Sequence, residues 1–449
     1  MTTTKRKFLA RLSAGLAITS ACLGFSSALS AQQAASGEPS PEELQARIQE
    51  LQVQLGQLAE QAKRAEQRMD LLADPEPGRS ASAGGSNLQI GGYVKLDTIF
   101  SDYSDGRAAT AGIGEDFLVP STIPVGGESG DAKYHAHAKS TRLFVKTSTP
   151  LGAGQVNTHL ELDAMASGQG DERISNSYAQ RLRHAYIDWQ MDDSRSLLAG
   201  QTWSTFFNVG ALPDGLDFVG PVGTIFERQP QLRYTQKFGS GSLQLAAENP
   251  ATTLYNGTEN PYDDNSSPDL ILRYNNSAGA FSYSLASMSR ELAYETDDLR
   301  ASKRGYAISL SGKLQLGADD IRFMYSHGNA LGRYMGLNGY RAGIIEADGG
   351  IGLIDQSGGF IAWRHPWNEH WRSNAVFSMS SADNPDTVTD TTAAGYRSAH
   401  LNLLYSPTPK LTLGGEYIMA TKQVENVSGS LADDEGDLQR LQFSVKYAF

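Results

Sequence analysis

From Leu88 to the C-terminus, apolar and polar residues alternate with the period of a β-strand. The clearest stretch is the last one, in which Leu441, Phe443, Val445 and the terminal Phe449 lie on one side and polar residues lie on the other. A period of two places successive side chains on opposite faces of a strand. Such a strand either packs on the core of a soluble sheet or separates lipid from water in a barrel wall.

Short and long connections alternate between the predicted strands. The seven short turns are TPLGAG, QMDDS, FGSGS, NNSAG, QLGAD, HPWNEH and SPTPK. The eight longer connections are 102–137, 167–179, 203–226, 251–267, 291–301, 330–357, 382–394 and 423–436. Long loops at one end and short turns at the other are typical of outer-membrane barrels, and a sheet in lipid must close. We therefore predict an all-β fold, a 16-stranded antiparallel transmembrane β-barrel over residues 88–449.

A second periodicity precedes the barrel. Apolar residues recur at alternating spacings of four and three from Leu44 to Leu72, with charged and amide residues between them. This narrow a/d pattern favours a coiled coil over a single amphipathic helix lying on another surface. We predict an N-terminal α-helical coiled coil over 41–73, followed by a flexible linker over 74–87.

The first 31 residues have the order of an export signal. Four basic residues precede the apolar stretch LSAGLAITSACLGF and the small-residue stretch SSALSAQQ, so we predict a signal peptide over 1–31. Its removal leaves 34 basic and 50 acidic residues, a net charge of −16. We therefore predict no nucleic-acid partner for this exported acidic chain. Beyond this segment no run of 18 apolar residues occurs, and the mean hydropathy of −0.37 does not suggest a helical membrane protein.

If the apolar face of each strand meets lipid, the opposite face lines the lumen. The basic residues predicted to line the pore are Lys95, Arg142, Lys146, Arg233, Arg273, Arg322, Arg372 and Arg440. The other predicted lining residues are Tyr93, Asp97, Glu161 and Asp163. This basic majority has two interpretations. It is an electropositive eyelet that attracts anions, or a wall without selectivity that keeps charge out of lipid.

The stretch RLRHAYIDW does not fit a simple alternation. Facing Ala185, Ile187 and Trp189 to lipid would also send Arg181 and Arg183 outward. A bulge or an early end to the lipid band would resolve the conflict, and the pattern does not choose between them.

The third long connection, 203–226, is apolar rather than polar. It contains the constriction residues that we predict, namely Phe206, Phe207, Asp214, Asp217 and Phe218. An apolar loop is unfavourable in bulk water, so we expect it to fold into the lumen and narrow it. The alternative is an extracellular loop packed against its neighbours.

No enzyme motif is present. The chain lacks G-x-S-x-G, H-E-x-x-H and a phosphate-binding loop, so we predict no catalytic residue and no cofactor. His135 and His137 could bind a metal at a strand end, but two isolated histidines near a loop are more often incidental. No metal site is therefore predicted.

Several segments resemble one known family. GGYVKLDTIFSDY, RLRHAYIDW, AGQTWSTF and QFSVKYAF, together with the signal peptide and the heptad helix, resemble the DcaP-like outer-membrane porins of Gram-negative bacteria. The resemblance implies a trimer of sixteen-stranded barrels with the coiled coil in the periplasm. It also implies passage of small organic anions such as dicarboxylates, and recognition of the terminal Phe449 by the barrel assembly machinery. The heptads do not specify three strands, so the trimer rests on the resemblance.

The sequence thus predicts a passive porin of the bacterial outer membrane with a preference for small anionic solutes. Its expected partners are outer-membrane lipid, lipopolysaccharide, two further copies of itself and the assembly machinery. Two alternatives belong to other classes: a tether between the outer membrane and the cell wall, in which the barrel is only an anchor, and a barrel enzyme.

Overall fold

The computed structural model describes residues 80–83, 85–107, 109, 112–168, 170–255, 264–296 and 299–449. The predicted signal peptide, 1–31, and coiled-coil helix, 41–73, lie outside the described residues, so both remain predictions. Within the described ranges no helix is long and apolar enough to cross a membrane.

Sixteen antiparallel strands form one closed barrel, which confirms the predicted 16-stranded β-barrel. In chain order, β1 to β16 are Ser86–Tyr103, Arg142–Leu151, Gly154–Asp163, Arg181–Gln190, Arg195–Trp203, Arg228–Phe238, Gly241–Glu248, Asp269–Ala278, Phe281–Glu295, Arg300–Leu316, Asp319–Gly328, Asp355–Pro366, Trp371–Asp383, Ala393–Thr408, Leu411–Val424 and Glu435–Ala448. Each strand pairs with the next one along the chain, and β16 pairs with β1. Closure leaves no unpaired strand edge in the wall.

The outer face of the wall is apolar, as the alternation predicts. On β1, Val94 is 55% exposed and Leu96 is 49% exposed, while Lys95 between them points inward. The last strand shows the same apolar outer face, with Phe443 and Phe449 exposed on the outside. The backbone N–H of Phe449 donates to the carbonyl of Gly92 at 3.0 Å. The chain end is therefore held in the sheet that closes the barrel.

One short strand lies in the segment predicted to be a linker. Ser80–Ala83 pairs antiparallel with the first residues of β1, from Ser86 to Gln89. The described end of the 74–87 segment is thus a hairpin with the barrel strand rather than free chain.

The fifth predicted loop, 291–301, is mostly strand. The strands β9 and β10 continue until only residues 296–299 separate them. In this extension Glu291 lies opposite Arg304 in the register. Beyond the lipid band both faces of a strand meet water, so apolar and polar residues no longer alternate. The sequence pattern therefore ends before the strand does.

Three long-loop segments fold into the barrel: loop 1 (104–141), loop 3 (204–227) and loop 6 (329–354). They contribute much of a buried apolar cluster that includes Phe117, Leu118, Phe206, Phe207, Val222, Ile225, Phe226, Tyr334 and Met335. Loops 3 and 6 are also joined by backbone hydrogen bonds, from Phe226 N to Tyr334 O at 2.9 Å and from Gly336 N to Thr224 O at 3.0 Å. Only loop 3 was predicted to turn inward. These loops occupy part of the lumen and confine its free space.

Candidate functional site: a basic cavity beneath loop 3

A cavity of about 980 Å³ lies inside the barrel against loop 3. Its lining extends from the short turn at Gly239 to the tip of loop 3 at Phe218. The basic lining residues are Lys95, Arg142, Arg183, Lys237, Lys313, Arg322, Arg372 and Lys446. The acidic ones are Glu161, Asp214, Asp217 and Glu416. Eight cations against four carboxylates give this lining a formal charge of +4, although the whole chain is acidic.

Loop 3 crosses the lumen and is anchored on the opposite wall through Leu216. The carbonyl of Leu216 accepts from Lys95 Nζ at 2.8 Å and from Gln442 Nε2 at 3.1 Å. Its N–H donates to Glu416 Oε2 at 2.6 Å. Because these partners lie on β1, β15 and β16, the tip of a loop that starts between β5 and β6 is fixed across the barrel.

Three of the predicted pore arginines anchor the same loop. Arg273 donates to the carbonyl of Phe207 at 2.7 Å, and Arg322 donates to the carbonyl of Leu212 at 2.5 Å. Arg372 Nε lies 2.5 Å from Asp214 Oδ2. Hydrogen bonds that involve charged groups are among the stronger ones in proteins, so these arginines fix the shape of the constriction as well as its charge.

Loop 3 also needs a glycine where it meets the wall. Gly223 has a φ of +71°, and a Cβ atom there would lie 2.6 Å from Gly359 N and 2.6 Å from Met379 O. Both the backbone conformation and the space exclude a side chain. The close approach to β12 and β13 therefore depends on this residue.

The five predicted constriction residues divide into two groups. Asp214, Asp217 and Phe218 line the cavity. Phe206 and Phe207 are 1% exposed and belong to the buried apolar cluster, so they hold the loop rather than face its opening. Asp217 has a further partner that the sequence did not suggest, since its Oδ1 accepts from the N–H of Leu118 in loop 1 at 2.8 Å.

A β-bulge resolves the orientation of Arg181 and Arg183. The register between β3 and β4 shifts by one residue, from Glu161 opposite His184 to Leu162 opposite Leu182. Bulges insert one extra residue into one strand. As a result Leu182 faces outward while both arginines face inward, against Asp163.

The structure places the predicted lining residues at the inner wall in two different settings. The predicted wall residues that line the cavity are Tyr93, Lys95, Arg142, Glu161, Arg322 and Arg372. The predicted wall residues that turn inward without lining it are Asp97, Lys146, Asp163, Arg233, Arg273 and Arg440. Only the first group borders the described cavity directly.

Arg440 differs most from its prediction. It is 1% exposed, and its guanidinium donates to Gly114 O in loop 1 at 2.6 Å and to Ser101 Oγ at 2.9 Å. Loop 1 covers this side chain, so its role is to hold that loop against the wall.

Sequence reasoning missed several cations of the inner wall, among them Lys313 and Arg228. Lys313 lines the cavity, and the alternation of outward Ile308 and Leu310 along β10 was a signal that could have placed it there. Arg228 stacks on Trp203, with its guanidinium carbon 4.3 Å from the ring centroid. It stands at the junction of loop 3 and β6, where no alternation could assign it.

Comparisons with known proteins agree with this architecture. The chain matches a family model described as DcaP outer membrane protein over residues 29–449. No curated protein sequence matches the chain. Among solved structures it is similar to the outer membrane channel DcaP of Acinetobacter baumannii, with 22% identity and a TM-score of 0.66, covering 82% of this chain and 99% of that one.

Two further solved structures share the fold at lower identity. An anion-selective porin from Comamonas acidovorans has 11% identity and a TM-score of 0.53, with 81% of this chain and 100% of that one covered. The outer membrane protein OmpT of Vibrio cholerae, folded in vitro, has 11% identity and a TM-score of 0.52, with 83% and 100% covered. The family model covers nearly the whole sequence, and the barrel has the porin architecture. The chain therefore belongs to the DcaP outer membrane protein family.

Proposed function

We propose that the protein is a passive porin that prefers small organic anions, including dicarboxylates. The observation that carries this proposal is the cavity against loop 3, whose lining has a formal charge of +4 in a chain of net charge −12. Rings of basic side chains favour anions in pores. A cleft with low-dielectric walls also focuses the field and raises the local concentration of oppositely charged solutes.

The ion pairs around the cavity also support a positively charged lining. Asp214 pairs with Arg372, and Glu161 pairs with Arg183 at 2.5 Å. Among the described residues Lys446 has no carboxylate partner within ion-pair distance, and its ammonium lies 5.4 Å from the centroid of the Tyr93 ring. Carboxylates outside the lining engage other cations, since Lys95 lies 3.0 Å from Asp97 and Arg322 lies 2.7 Å from Asp320. Cations such as Lys446 therefore contribute most to the charge that a solute meets.

Dicarboxylates fit a cavity whose cations are distributed around its wall. Lys446 lies on β16, Lys313 on β10 and Lys237 on β6. A solute with a carboxylate at each end can interact with more than one of them, which a monovalent anion cannot. The Comamonas porin named above is described as anion-selective, and we extend that property to this chain.

We further propose that the barrel works as a homotrimer in the outer membrane, in contact with lipid and lipopolysaccharide, with helix 41–73 in the periplasm. The exposed apolar outer wall supports a lipid environment. The terminal Phe449, held in the closing strand, is the residue that we expect the assembly machinery to recognise.

The test of this function is a comparison of solute fluxes into proteoliposomes. Succinate, erythritol and putrescine each have four carbons and differ in charge. We expect succinate to enter at least about threefold faster than erythritol, and putrescine to enter slowest, because the lining attracts anions. Equal rates would contradict anion preference, and no flux of any solute would contradict a porin.

A further inference from the structure

A cluster of three metal-ligating side chains lies in loop 1, outside the cavity. His135 and His137 stand two residues apart on the short strand Lys133–His137, so their side chains share one face. Asp116 ends the short helix Ile113–Asp116 and meets them there. His135 Nε2 lies 2.9 Å from Asp116 Oδ1, and one potential ligand atom from each of the three side chains lies within 4.8 Å of the others.

We propose that Asp116, His135 and His137 bind a divalent transition-metal ion of the zinc type. Two imidazoles and one carboxylate are a donor set that Zn²⁺ accepts, with nitrogen and oxygen ligands at about 2.0–2.2 Å and a tetrahedral preference. Three ligands from the protein leave one position for water. Imidazole donors favour Zn²⁺, Cu²⁺ and Ni²⁺ over Mg²⁺ and Ca²⁺, which select oxygen.

The backbone around the cluster is fixed before any ion binds. The strand that contains the histidines pairs with β1, with His135 opposite Ile99 and His137 opposite Asp97. His137 and Asp116 are buried, while His135 remains partly exposed. A site with two buried ligands and one accessible ligand has both rigidity and an entry path, which a metal site requires.

The existing hydrogen bonds can be exchanged for metal ligation. His137 Nε2 bonds to the carbonyl of Asp116 at 3.0 Å, and its Nδ1 accepts from the N–H of Lys139 at 3.3 Å. Nδ1 can therefore ligate an ion at the loss of one hydrogen bond, because Nε2 keeps its proton and its bond to the Asp116 carbonyl. The exchange requires a neutral imidazole, because the ligating nitrogen must be deprotonated.

Lys139 is the group that opposes the ion. Its Nζ lies 2.9 Å from Asp116 Oδ1 and 3.0 Å from Oδ2, so it neutralises the carboxylate when no metal is bound. If an ion binds Asp116 Oδ1, the Lys139 ammonium can keep its hydrogen bond to Oδ2. The positive charges of the ion and the ammonium then repel each other. The cluster is therefore a site of moderate affinity whose strength Lys139 limits, and removal of that charge should strengthen binding.

A bound ion would fasten loop 1 to the wall. The same loop is held by Arg440 at Gly114 and contacts loop 3 through Leu118 and Asp217. A ligand that binds only the folded state stabilises it by mass action. Zinc should therefore raise the melting temperature of the purified protein without entering the cavity.

The experiment is isothermal titration calorimetry, in which Zn²⁺ is titrated into the purified full-length protein in detergent. We expect one ion per chain, and an affinity at least about tenfold weaker in His135→Ala/His137→Ala. The matched control is His327→Ala/His370→Ala, which removes two exposed histidines elsewhere and should bind as the wild type does. Lys139→Met should bind more tightly than the wild type.

Two results would overturn the proposal. One is equal affinity in the wild type and in His135→Ala/His137→Ala, which would place the ion elsewhere. The other is no binding by either the wild type or Lys139→Met. If the double variant fails to fold, His135→Gln replaces the partly exposed ligand alone and should still weaken binding, whereas an unchanged affinity would also overturn the site.

Discussion

Exchanging Lys313 and Lys446 for glutamate should abolish the anion preference of the channel. Both residues line the cavity, and the double exchange changes its formal charge from +4 to zero. A unit charge about 4 Å away changes the energy of a monovalent ion by at least ~1 kcal/mol, and ~1.4 kcal/mol is tenfold in a ratio. We therefore expect the chloride-to-potassium permeability ratio to fall at least about fivefold. Reversal potentials in a planar bilayer measure this ratio.

A matched control separates the cavity from the protein's overall charge. Arg300→Glu/Lys303→Glu makes the same change of net charge at the long-loop end of β10, where both side chains are exposed. It should leave the permeability ratio within error of the wild type. An unchanged ratio in the cavity variant, or an equal shift in the control, would show that these two lysines do not set the field.

Replacing residues 209–221 of loop 3 by an eight-residue Gly/Ser linker should enlarge the channel. This change removes Asp214, Leu216 and Phe218 from the cavity, together with the anchors on Arg372 and Glu416. Phe206 and Phe207 remain in the apolar cluster and keep the base of the loop in place. Because conductance follows pore diameter, we expect single-channel conductance to rise at least about twofold.

The control for the loop variant is a Gly/Ser replacement of residues 171–177, in the long connection between β3 and β4. These residues are all exposed and lie outside the cavity lining. Their replacement should leave conductance unchanged. Wild-type conductance in the loop 3 variant would mean that the narrowest point of the path lies elsewhere, with loops 1 and 6 as the nearest candidates.

The barrel wall was predictable from the sequence because lipid imposes a period of two. Val94 and Leu96 had to face outward, which turned Lys95 and Asp97 inward, and the same reasoning held from strand to strand. The alternation of short turns and long connections fixed the strand count. These signals are local, since each rests on residues that are neighbours in the chain.

The interior of the barrel was much less predictable because its contacts join residues far apart in the chain. Arg440 was expected to face water, yet it holds Gly114 in loop 1. Arg290 is fully buried and donates to the carbonyl of Ala330 in loop 6 at 3.0 Å. The alternation of apolar and polar residues along a strand cannot predict either of these contacts with a loop carbonyl. The bulge that turns Arg183 inward interrupts the period of two. The sequence pattern could therefore show that a strict alternation turns this arginine toward lipid, but it could not locate the bulge.

The most direct test of the central claim is the reversal potential of the wild-type protein in a planar bilayer under a roughly tenfold KCl gradient. A basic cavity beneath loop 3 predicts open channels whose current reverses toward the equilibrium potential of chloride. Reversal toward that of potassium would show that the lining charge does not select the permeating ion. Absence of any conductance from correctly folded protein would show that the loops close the barrel, and would contradict a porin.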